Sequence, residues 1–213
     1  APQGVNAVNY AARLVCWLEN EARQRQLHGP FDKQYDIPFT TIHTGIIHGG
    51  TALNIVPNHC EFVFEIRNIA DENAIDIFDE FNEYTAELLE EMRIKFADCR
   101  IDTDIVTEYP GLNCSDADQL IDYIRTLTGK STPGNINFGT EAGLFNQTLG
   151  VTSIVCGPGS MSQGHKPDEF IEVSQIEACD QFIQALIAAL LTNKDSPGAR
   201  FIRFSHGLTL LYF

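Results

Sequence analysis

Long apolar runs are missing from this 213-residue sequence. No stretch approaches the roughly 20 consecutive apolar residues that span a bilayer, so neither a membrane helix nor a membrane partner is expected. Positive charge is scarce: 14 Lys and Arg stand against 29 Asp and Glu, for a formal net charge of -15. A surface so acidic repels phosphate backbones, which excludes nucleic acid as an expected partner. Paired cysteines are also lacking. The six, at 16, 60, 99, 114, 156 and 179, include no C-x-x-C and fall mostly in apolar segments. They read as buried free thiols of a cytosolic protein, so a cytoplasmic location is expected. The opening Ala1-Pro2-Gln3-Gly4 has no basic residue of the kind that starts a secretory leader. No Walker loop, H-E-x-x-H or G-x-S-x-G occurs, so no self-contained motif names a reaction.

Apolar residues are abundant, at 44%, enough to bury real cores. Val8, Ala11, Ala12, Val15 and Leu18 recur at helical spacing and predict a helix from Gly4 to about Arg25. β-Branched residues over 38–48 predict a strand ended by Gly49-Gly50. In "HCEFVFEIR", Cys60, Phe62, Phe64 and Ile66 fall on one face, with Glu61, Val63, Glu65 and Arg67 on the other. That is a strand with one buried side. A long helix is expected from Asp71 to about Phe96, on the stripe Ile75, Phe78, Phe81, Leu88 and Met92. Residues 100–109 alternate again and predict a strand. With one more strand preceding the first helix, this order is that of the split β-α-β-β-α-β sandwich.

Beyond Pro110-Gly111, Ser115 is expected to cap a helix that stops at Gly129. A short strand over 136–138 leads to "GTEAGLF", whose start suits a helix N-terminus able to receive an anion. A strand over 151–156, a loop holding His165, and a helix opened by Ser174 complete an alternating α/β layer. The last residues, 195–213, break register with what precedes them.

Each candidate site residue has two readings. His165, on a glycine-flanked loop, is a metal ligand or a polar residue on a turn; zinc needs three or four donors, and one histidine does not make a site. His43 and His48 are five apart on a strand, so regular alternation points them to opposite faces. Asn54 is turn chemistry or an amide offered to a ligand. Arg67 is a solvated partner of Glu65 or a clamp for a carboxylate.

Taken jointly, "GGTALNIVPNHCEFVFEIR", "GTEAGLF" and "VCGPGSMSQGHKPDEF" resemble motifs of the co-catalytic zinc amidohydrolases. That family holds aminoacylases, desuccinylases, glutamate carboxypeptidases and acetylornithine deacetylases, and the wording is most like the last group. The resemblance covers about residues 1–190 and stops before 195–213. It implies an α/β fold made of two parts. Residues 1–111 would be an α+β lid of ferredoxin-like type, without its first strand; 112–194 would be the C-terminal α/β part of a zinc-peptidase-like catalytic domain. His165 would be a ligand of a centre of two zinc or cobalt ions. Asn54, Arg67, Gly139 and Thr140 would touch substrate, Arg67 through its carboxylate. A homodimer formed through the lid is implied, with a small N-acyl amino acid as substrate. The implied reaction is removal of the acetyl group of N2-acetyl-L-ornithine, a step of arginine biosynthesis.

The family's His-x-Asp metal motif is absent from the sequence, and Glu90-Glu91 falls inside a helix, so no general base is assigned. The chain does not begin with Met and opens almost directly on a helix. It is therefore expected to be a C-terminal portion of a longer enzyme, inactive alone. Other N-acyl-amino-acid hydrolysis, or a non-catalytic ferredoxin-like dimerisation module, are the rival expectations.

Overall fold

The computed structural model describes residues 4–112, 118–129, 134–135, 139–160, 163–164 and 166–192. The chain divides into two compact units, Ala1–Glu108 with Gly134–Gly139, and Tyr109–Pro133 with Thr140–Phe213.

In the first unit, helix α1 (Ala7–His28) starts where the Asn6 side chain accepts the Asn9 N–H at 3.1 Å. That cap satisfies a donor that has no partner inside the helix, and it sets the start three residues after Gly4. Tyr10, Leu14 and Leu18, spaced by four, form the buried stripe. Gly29 ends the helix at φ 79°, a backbone state that glycine adopts at no steric cost. Near that end Arg25 pairs with Glu21 at 2.6 Å and with Glu72 at 3.2 Å, tying α1 to the turn before the next helix.

Strands β1 (Thr41–Gly49) and β2 (Cys60–Arg67) form an antiparallel two-stranded sheet. Helix α2 (Ala74–Lys95) begins at Asn73, whose side chain accepts the Ile75 N–H at 3.1 Å. Phe81, Leu88 and Met92 of α2 join the α1 stripe in one core, against which Ile42, Phe62 and Phe64 pack from the sheet. The predicted inward face of β2 is therefore the face the helices cover. Complete burial of one such side chain stabilises by about 1.5–3 kcal/mol. The order is helix, strand, strand, helix, as the apolar periods require.

Two expected strands, 100–109 from its alternation and 151–156 from its apolar run, do not form among the described residues. Residues 100–109 join no ladder. Ile101 packs on the core, the Thr103 hydroxyl donates to Asn82 at 2.9 Å, and Arg93 Nε donates to the Cys99 carbonyl at 3.0 Å. Ile101 is half-buried while 102–109 are exposed, so the alternation marks no buried face here, and a strand also needs a neighbour for its backbone. Residues 151–156 likewise pair with no strand among the described residues. The expected strand at 136–138 lies outside the described residues.

The second unit contains α3 (Asp118–Thr128), α4 (Ala142–Leu149) and α5 (Val173–Thr192), with α3 packed against α5. Gly143 is buried at the start of α4, and a Cβ there would fall on the Pro110 carbonyl. Among the described residues no helix is long and apolar enough to cross a membrane.

Candidate functional site

The outward face of the hairpin carries the charged residues. Thr41 stands opposite Arg67, His43 opposite Glu65, Ile46 opposite Val63 and His48 opposite Glu61. Directly opposed residues of an antiparallel pair share a face. Glu61 and Glu65 are four apart on β2, so both lie outward, and His43 and His48 lie outward with them. This corrects the expectation that the two histidines point apart. The register slips between Thr44 and Ile46 and leaves Gly45 unpaired. Such a β-bulge adds one residue and restores the phase of the strand. A glycine inside a strand is the signal that could have revealed it.

Arg67 ends β2. Its Nη2 lies 3.0 Å from Glu65 Oε1 and donates to Oε2 at 3.1 Å. The side chains are 37% and 49% exposed, so the pair is open to solvent and to a ligand. Both readings of Arg67 thus meet in one place: it is a partner of Glu65, and it is accessible.

Asn54 lies in the loop joining the strands, exposed between Leu53 and Ile55, both also exposed. The Ile55 N–H closes a turn onto the Ala52 carbonyl at 3.2 Å, and the Ala7 N–H holds the loop's end through the Pro57 carbonyl at 3.0 Å. Arg67 closes β2, and Asn54 lies in the loop that precedes its opposite end. Seven steps from Cys60 to Arg67, at roughly 3.3 Å each, separate those ends by about 23 Å.

Gly139 is exposed and Thr140 half-buried. The Thr140 hydroxyl accepts the Ala142 N–H at 3.2 Å and so satisfies a donor at the start of α4. His165 lies outside the described residues. Among the described residues no three His, Cys, Asp or Glu side chains converge as metal donors. A zinc or cobalt centre needs three or four, so these residues do not make one.

Charged and polar side chains also couple α1 to α2. Glu91 accepts from Tyr10 Oη at 2.8 Å, and from Arg13 Nη1 at 3.0 and 2.9 Å. The Tyr10 hydroxyl and then the Arg13 guanidinium hold the Glu91 carboxyl below the usual carboxylate range. The same hydrogen bond pushes the Tyr10 hydroxyl up. Burial pushes up the Cys60 thiol on the inner face of β2. A groove of about 270 Å³ on this helical side, lined by Ala12, Arg13, Cys16, Trp17, Asn20 and Tyr84, holds none of the predicted site residues.

Residues 1–93 match the M20 peptidase dimerisation domain. The chain is 32% identical over 185 residues to an acetylornithine deacetylase of Photorhabdus laumondii, covering 87% of this chain and 46% of that protein. Against the acetylornithine deacetylase of Pasteurella multocida it is 29% identical over 194 residues, 89% of this chain and 48% of that protein. Against that of Myxococcus xanthus it is 28% identical over 185 residues, covering 87% and 47%. The chain spans about half the length of the curated relatives it matches.

Proposed function

Since the chain belongs to the M20 peptidase family, among its acetylornithine deacetylase-like members, we propose that it forms part of an amidohydrolase acting on N2-acetyl-L-ornithine. The products are ornithine and acetate. The similarity to three enzymes of that name over 87% or more of this chain carries the reading.

Within it, Arg67 receives the substrate carboxylate. A planar guanidinium suits that group, and this one is accessible at a strand end. The Asn54 amide, on an exposed loop, contacts substrate at a second point, as do Gly139 and Thr140. The dimerisation-domain match over residues 1–93 supports a homodimer. We further propose residues 1–111 as the lid, 112–194 as catalytic-domain sequence, and a cytoplasmic location. His165 is proposed as a ligand to zinc or cobalt. The described residues supply no cluster of further donors, so the hydrolytic step is assigned to none of them, and the isolated chain is expected to be inactive.

Acetate release from N2-acetyl-L-ornithine by the complete enzyme tests the substrate, with an N-succinyl amino acid as competitor. Preference for the succinyl compound overturns the assignment in favour of a desuccinylase. A second reading, a dimerisation module without catalysis, is favoured by the extent of the M20 dimerisation match alone. It predicts that Arg67→Ala leaves the complete protein's turnover and substrate affinity unchanged.

A further inference from the structure

We propose that Glu65 is an internal competitor for the carboxylate of an incoming N-acyl amino acid, and so sets how tightly Arg67 holds that substrate class. This rests on Arg67 being the carboxylate-binding residue of the function proposed above.

The geometry is local and fixed by the backbone. Residues two apart on a strand project to the same face, so the pleat itself puts Glu65 beside Arg67. Both Glu65 oxygens lie against one guanidinium nitrogen, at 3.0 and 3.1 Å. The Glu65 carboxylate thus presents to Arg67 the same chemical group that the substrate would bring. Nothing in the sheet requires it: Glu65 is exposed, and so is His43, opposite it on β1. A bound ligand carboxylate must displace Glu65 or share the guanidinium with it, at a cost set by their ion pair. Exposed pairs of this kind are weak, so removing the competitor tightens carboxylate binding by roughly two- to fivefold. Glu61 provides the control. It lies on the same outward face with the same charge, but the ion pair to Arg67 is made by Glu65.

The test is a titration of the full ¹⁵N-labelled chain with N-acetylglycine, followed at the Arg67 side-chain Nε–Hε resonance, which Arg67→Lys identifies by its loss. Glu65→Gln is expected to lower the dissociation constant roughly two- to fivefold, and Glu61→Gln to change it by much less. Equal effects of the two variants would show a general field rather than occupancy, and would overturn the inference. So would an unchanged constant in Glu65→Gln while wild type still binds at Arg67; that result leaves the Arg67 assignment standing. Absence of any response at Arg67 in wild type and in Glu65→Gln removes both.

Discussion

Glu91 receives three hydrogen bonds from α1, and its carboxyl is held low by them. A carboxyl whose folded-state pKa is depressed contributes stability that is present above the unfolded value, about pH 4.3, and lost as pH falls through the folded value. Tyr10 has the opposite sign. Its raised pKa contributes stability present below about pH 10 and lost as pH climbs through the folded value. Glu91→Gln is therefore expected to lower the urea midpoint near neutral pH and to flatten its decline toward roughly pH 3. A variant with the wild-type acid limb would show that Glu91 takes no part in that transition. Phe81 is a packing case. It is 1% exposed, with ring centroids of Phe64 at 5.1 Å and Trp17 at 5.7 Å. Phe81→Ala is expected to cost about 3–5 kcal/mol in urea denaturation, because both strands and both helices of the first unit meet near it.

The hairpin shows what one residue does to an element. Gly45 is the extra residue of β1, and removing it leaves Thr44 followed by Ile46, in the alternation already present on both sides of the bulge. Deletion of Gly45 is thus expected to keep His43 and His48 outward and Ile42 inward, with a thermal midpoint within a few degrees of wild type. In an unbulged strand the same deletion would move every later side chain to the other face and exclude a native core. Circular dichroism melting separates the two outcomes. The segment 100–109 teaches the converse. Its residues alternate in sequence, yet 102–109 are exposed and join no ladder among the described residues.

At the scale of the whole molecule, the net charge of -15 acts on association. Two copies carrying it repel at long range, and salt screens that repulsion within about 10 Å at 0.1 M. The proposed homodimer is therefore expected to tighten as ionic strength rises. Light scattering would follow the mass toward twice 23.7 kDa. A mass that falls with added salt would mean that the contact is held by opposite charges instead.

Helix periodicity, the inward face of β2 and the outward position of Arg67 with Glu61 and Glu65 were determined by the sequence alone. Each follows from a local period of 3.6 or 2, which any fold burying those apolar residues must obey. Three things only the tertiary structure decided. The Gly45 bulge turned His43 and His48 to one face, because strand phase depends on the partner's register and not on spacing within one strand. Among the described residues, 100–109 and 151–156 stayed out of any ladder, because pairing requires a neighbour that a local pattern does not specify. Arg67 closed on Glu65 at 3.0 Å, because the folded backbone and its surroundings select which of the possible partners a side chain takes.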